Sequence, residues 1–230
     1  MANELFTPIN RKVGDLLTDV KNGRIGLPDL QRPFVWKDNK VRELLDSMLK
    51  GYPIGFVMLW ESPADFANKK QIGNNDKDWQ EARDLVIDGQ QRLTALLAAI
   101  KGVQVKDSNY KERYIKIAFN PIKREFEVWS QAYERSPEWI SSISEVFAAK
   151  DNNTVSRLRR NYIKLLNEKR VKDGLDALND DEEMMIEDNI NELLNLSDYV
   201  LPTLEIKAIA NEEEAVSYTH LRAHETELHL

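Results

Sequence analysis

The 230-residue chain has no cysteine, and its three histidines, His220, His224 and His229, all lie within the last eleven positions. The body before them therefore excludes disulfides, a thiolate or imidazole metal centre, a cysteine nucleophile and a Ser-His-Asp relay. No apolar run approaches the ~20 residues of a membrane helix. The opening MANELFTPINRKVG also lacks the apolar stretch of a signal peptide. These absences make a cytoplasmic location the expectation, with no membrane partner. Glycine and proline are sparse, at 9 and 8, and the glycines form neither GxxxxGKS/T nor GxGxxG. Chemistry in the body is left to carboxylates, amides, hydroxyls, lysine and arginine.

What is present fits a globular protein. At 42% hydrophobic and 31% charged residues, a chain of this length can bury a real core as one large domain or one and a half. Net charge is −7, which opposes a non-specific nucleic-acid coat but leaves room for a local basic face. Charge is unevenly spread. Lys150 to Lys172 carries eight basic and two acidic residues, and Asp180 to Glu214 carries one basic and twelve acidic. Two readings stay open: a DNA-facing arm containing Arg157, Arg159 and Arg160 beside a solvated helix, or two helices that pair their charges. Asp180, Asp181, Glu182 and Glu183 read as the acidic opening of a helix, where the dipole favours them, ahead of a metal cluster. Trp36, Trp60, Trp79, Trp129 and Trp139 are dispersed and read as packing residues.

The tail stands apart. Val216 to Thr226 reads VSYTHLRAHET, which resembles the translation of a transposase sequencing adapter over all eleven codons. Residues 215–230 are therefore expected to be a non-native tail, with the natural protein continuing past Glu214 and the histidines carrying no function.

Periodicity predicts the remaining organisation. Val41, Leu44, Leu45, Met48 and Leu49 space as one helical face over Asp38 to Lys50, with Asp38 as N-cap and Gly51 just past the end. IGFVMLW after Pro53 reads as a buried strand, and Asn68 to Asp84 as a loop. Leu85 to Ile87 is a short strand, followed by DGQQR. Leu93, Leu96, Leu97 and Ile100 then repeat at helical spacing up to Gly102. Tyr114 to Phe119 and Glu125 to Trp129 alternate around Asn120-Pro121, a hairpin. Helices are expected near Glu138 to Lys150, Thr154 to Arg170 and Asp181 to Leu196, and a returning strand over Tyr199 to Ile206. The sum is an α+β fold: a mixed-sheet core over 1–135, a mostly helical extension over 136–214, and the tail.

Two stretches carry candidate chemistry. In LVIDGQQRLTALL, Gly89 between strand and helix lets the backbone turn tightly and approach an anion. Arg92 falls in the first helical turn, where a cation opposes the dipole at a cost of ~0.3–1 kcal/mol. A phosphate would satisfy that charge and the free N–H groups together. The alternative is structural, since Asp88 and Gln91 also fit a capping box. In LPDLQRPFVWKDNKVRELL, Pro28 and Pro33 hold Asp29, Gln31 and Arg32 extended. Arg32 there reads either as part of a site or as an ion-pair partner of Asp29 or Glu43.

Together LPDLQRPFVW, GYPIGFVMLW and LVIDGQQRLTALLAAI resemble the N-terminal domain of GmrSD-type modification-dependent restriction endonucleases, a family similar in fold to the ParB/sulfiredoxin group. The resemblance covers Leu5 to Ile100 by specific motifs and weakens towards Glu214. It implies nucleoside triphosphate binding and hydrolysis with Mg²⁺, coupled to restriction of modified foreign DNA such as phage DNA. By motif, Asp88, Gln91 and Arg92 would be catalytic, and Gln31, Arg32, Gly89 and Gln90 would bind the nucleotide. Asp88 would hold the metal directly or through water. The family's frequent His-Asn-His nuclease domain is absent from the printed sequence and is the expected partner. A non-enzymatic ParB-like module that senses nucleotide or DNA and regulates a partner nuclease is the alternative.

Overall fold

A computed structural model describes residues 5–26, 34–61, 83–107 and 109–208. In chain order the elements begin with β1 (Phe6–Lys12), α1 (Val13–Lys21), β2 (Ile25–Gly26) and α2 (Asp38–Leu49). There follow β3 (Val57–Glu61), β4 (Asp84–Asp88), α3 (Gln90–Lys101), β5 (Val105–Lys106) and β6 (Glu112–Arg113). The remainder is β7 (Ile117–Asn120), β8 (Glu125–Val128), α4 (Gln131–Arg135), α5 (Ile143–Asp151), α6 (Val155–Lys172), α7 (Asp180–Asn195) and β9 (Val200–Ile206). This is the expected α+β mixture.

The described chain forms two compact units, and neither is a continuous block of sequence. Residues 5–26, 54–61, 83–93 and 198–208 belong to the first, and 34–53, 94–107 and 109–197 to the second. The first unit is built on a five-stranded mixed sheet in the order β1-β9-β3-β4-β2. The expected returning strand, β9, pairs antiparallel with β1 and parallel with β3. β3 is antiparallel to β4, with a register shift between Met58 and Leu59. Side chains alternate across a strand, and four of the five residues of β3 are buried. The strand is therefore covered on both faces, as its unbroken apolar run requires. Met58, Trp60, Leu85 and Ile206 cluster on one side, with Phe56, Ile87 and Leu204 against them. β1 escaped the sequence reading because Pro8 argues against a strand. It is tolerated because β1 lies at the sheet edge, where a missing N–H costs little.

In the second unit, β7 and β8 form the hairpin expected around Asn120-Pro121. The Asn120 carboxamide oxygen accepts from the Ile122 and Lys123 N–H groups, which closes the turn with a side chain. α2 matches its predicted span and packs on this hairpin, and Gly51 just beyond it has φ +75°. Its start is a correction. Lys37 occupies the N-cap position without a side-chain cap bond, and Asp38 instead enters the first turn and pairs with Arg113. An ion pair held by a fixed guanidinium outcompetes the cap. The helix expected near Glu138 to Lys150 begins later, at Ile143, because residues ahead of it bridge Phe119 to Ile140. α7 starts on a full capping box between Asn179 and Glu182, so the acidic run is a helix opening as expected.

Candidate functional site

The DGQQR segment forms the strand–turn–helix corner that its composition predicts, and it lies wholly in the first unit. Asp88 is the last residue of β4 and is exposed. Gly89 is the turn, and Gln90, Gln91 and Arg92 are the first three residues of α3, all half-buried. The Gly89 carbonyl accepts from the Leu93 N–H at 2.9 Å, which makes Gly89 the N-cap. The capping-box alternative needed Asp88 at that position, and the helix starts one residue too late for it.

Gly89 is required by geometry. Its φ is +89°, and a Cβ there would lie 3.0 Å from Val57 Cγ2, 3.3 Å from the Phe56 carbonyl oxygen and 3.3 Å from Arg92 Nη1. A second glycine, Gly55 at the mouth of β3, has φ +92°, and its Cβ would stand 2.9 Å from Arg92 Nη2 and 3.2 Å from Cζ. The Arg92 guanidinium thus lies in a notch between two backbone segments that only glycine keeps open. Its Nη1 donates to the Phe56 carbonyl at 2.6 Å. Burial pulls the Arg92 guanidinium below its usual pKa, and the nearby Asp88 carboxylate opposes that in part. Arginine remains charged regardless at neutral pH. The notch therefore holds a desolvated cation in the first turn of a twelve-residue helix, where the dipole disfavours it.

The structure brings Asp88, Gly89, Gln90, Gln91 and Arg92 together at this corner. Gln31 and Arg32 lie outside the described residues, as does the 215–230 tail. Asp88 does not sit in an acidic cluster: among the described residues no three of His, Cys, Asp or Glu come close enough to hold a metal ion. Gly55 and the Phe56 carbonyl were missed by the sequence reading. The available signal was the isolated glycine in PIGF at the start of an apolar strand, which marks close backbone approach. A separate cavity of about 240 Å³ lies in the second unit, lined by Asp38, Tyr114, Lys116, Val128 and Trp129. Trp129 is exposed there, with Lys116 Nζ 5.3 Å from its ring centre. Trp60, by contrast, is the buried packing residue that was expected.

Fold and site together define an α+β domain with an arginine seated at a strand-to-helix corner. A family model described as the GmrSD restriction endonuclease N-terminal domain matches residues 13–221, and the chain belongs to that family. It is also similar to an uncharacterized protein of Methanocaldococcus jannaschii, 36% identical over 93 residues. That match covers 37% of this chain and 16% of the relative, so the aligned stretch is a small part of the longer protein. Among the described residues no helix is long and apolar enough to cross a membrane.

Proposed function

We propose that the chain is the nucleotide-dependent part of a cytoplasmic restriction system directed at modified foreign DNA, and that it binds and hydrolyses a nucleoside triphosphate at the Arg92 corner. The observation that carries this reading is the seat of Arg92. A half-buried cation at a helix start is unfavourable alone, and a phosphate would offset both the lost solvation and the dipole. Gly89 permits the tight turn that sets Arg92 beside the start of α3, and a helix N-terminus favours an anion at the same place.

The other residues of the motif follow from their chemistry. Gln90 and Gln91 carry amides that donate and accept, which suits orienting a water or the nucleotide. Gln31 and Arg32, through the second family box, are assigned to the same ligand. Asp88 fits Mg²⁺ as a lone exposed carboxylate, because this ion keeps several waters and takes its remaining oxygens from phosphates. When bound, the metal would neutralise charge on the phosphates; the chain's own part is to fix their position with Arg92 and the helix N–H groups. Cutting of DNA is assigned to a His-Asn-His nuclease domain or subunit.

Titration calorimetry with Mg–ATP and Mg–GTP, together with a phosphate-release assay, tests the site. Arg92→Met is expected to weaken binding by about 100-fold, on the order of 1.5–3 kcal/mol for a charge-assisted contact. Asp88→Asn is expected to suppress turnover more than binding. Undiminished binding and turnover in both variants would overturn the assignment. Binding without any phosphate release in the unmodified protein would leave a sensor in place of a hydrolase.

A further inference from the structure

The basic run in α6 was open to two readings, and the side chains separate them. The helix packs against α7 through Arg159, which bonds to the Asn191 side chain, Asn167 against Glu183, and Arg170, 3.9 Å from Glu182. Tyr162, Ile163 and Leu166 are buried on the same side. Glu182 closes its own capping box and Glu192 pairs with Arg124. Pairing between the two helices therefore accounts for Arg170 and leaves most of the basic run unexplained.

Arg157, Arg160, Lys164 and Lys172 are exposed on the opposite side of α6. At 3.6 residues per turn they fall within about a third of the helix circumference and extend over roughly 22 Å. Among the described residues Arg157, Arg160 and Lys172 enter no ion pair, and Lys164 meets only Glu168 of the same helix, at 3.8 Å. Arg160 Nε donates to the Ser156 carbonyl behind it, which leaves the rest of its guanidinium exposed to solvent. Arg157 lies in the first turn of α6, which contains no acidic residue. A cation there opposes the helix dipole, as at Arg92, and an external anion would favour both.

We infer that this face of α6 is the contact surface for the phosphate backbone of duplex DNA. It rests on the reading of the chain as part of a DNA-restriction system and goes beyond it by locating the contact. Duplex DNA carries one negative charge per ~1.7 Å of axis with both strands counted, so about a dozen phosphates lie along the length of the stripe and those on the facing side are within reach of its cations. With a net charge of −7, attraction of the whole molecule to DNA is excluded, and binding must come from a local basic face. Long flexible cations are the side chains that reach phosphate oxygens. Arg159, engaged with Asn191, leaves the expected set, and Lys164 and Lys172 join it.

The test is the salt dependence of binding of the full chain to a fluorescein-labelled 24-base-pair duplex, by anisotropy. A triple variant Arg157→Gln, Arg160→Gln, Lys164→Gln is compared with a scattered control of equal charge change, Lys111→Gln, Lys123→Gln, Lys207→Gln. The stripe variant is expected to flatten the plot of log K against log salt by about 0.9 per lost contact, close to 3 in all. The control should change it by less than one. Equal loss in both triples, or no loss in the stripe variant, overturns the inference. So does a stripe variant that changes the sedimentation of the protein while DNA affinity holds, since that reassigns the face to a protein contact. Absence of DNA binding in the unmodified chain, with Mg–ATP binding intact, overturns the contact surface while leaving the nucleotide reading standing.

Discussion

Arg92 and Arg113 are both half-buried arginines, and the protein treats them differently. Arg113 is satisfied within the second unit: it pairs with Asp38, donates to the Trp36 carbonyl at 2.9 Å, and lies 5.7 Å from the centre of the Phe34 ring. Arg92, in the first unit, has among the described residues a single hydrogen bond, to the Phe56 carbonyl, and two glycines at its flanks. The first arrangement locks a guanidinium with a carboxylate and an aromatic face. The second holds one in place while leaving most of its five donors uncommitted among those residues. An arginine of the first kind stabilises the fold, and one of the second kind keeps most of its donors uncommitted to the described residues.

The sharpest way to break this contrast is at the glycine seat. Gly89→Val puts a β-branched side chain at φ +89° and a Cβ 3.0 Å from Val57. A loss of about 3 kcal/mol is expected in urea denaturation, from backbone strain of ~1–2 and overpacking of ~1–3. A variant as stable as the parent would show that the corner is not held as described. Next in size, Arg113→Met should cost about 1–2 kcal/mol, because it leaves Asp38 half-buried without its partner. Arg92→Met should cost less than about 1 kcal/mol, since it also removes a cation from the wrong end of a helix. Exchange of those two results in the same melts would reverse the assignment of roles.

The smallest effect extends the contrast to an anion. Asp84 at the start of β4 is half-buried, and burial raises its pKa, with Glu205 and Glu61 adding to the rise and Arg83 and Arg11 opposing it. A carboxyl whose pKa is raised on folding binds its proton more tightly in the native state. Its charged form then lowers stability as pH rises through the unfolded value and on through the folded one. Asp84→Asn is therefore expected to raise the melting temperature at pH 7 and to leave it unchanged below about pH 3, where both states are protonated. A gain of equal size at both pH values would assign the effect to packing.

Much of the candidate site was legible because it is local. A glycine between an apolar strand and a periodic helix can be read from a dozen consecutive residues, and so can the start of α7, where four consecutive acids open the helix. What lies against Arg92 was not legible. Gly55 and Phe56 are 36 or more residues upstream of it, and they meet it only because β3 pairs antiparallel with β4. The same limit explains Asp38. Its position before a helical run signals an N-cap, and nothing nearby in sequence announces Arg113, 75 residues further on.

By itself the sequence determined the α+β class, the helix at 38–49, the strand–glycine–helix corner and the exclusion of cysteine and histidine chemistry from the body. Periodicity, caps and composition act over one or two turns of chain and do not depend on distant partners. Only the tertiary structure decided that β9 inserts between β1 and β3, that two glycines flank Arg92, and that α6 turns four of its cations away from the acidic helix beside it. Each of those depends on which surfaces are buried against one another, and burial is a property of the folded chain as a whole.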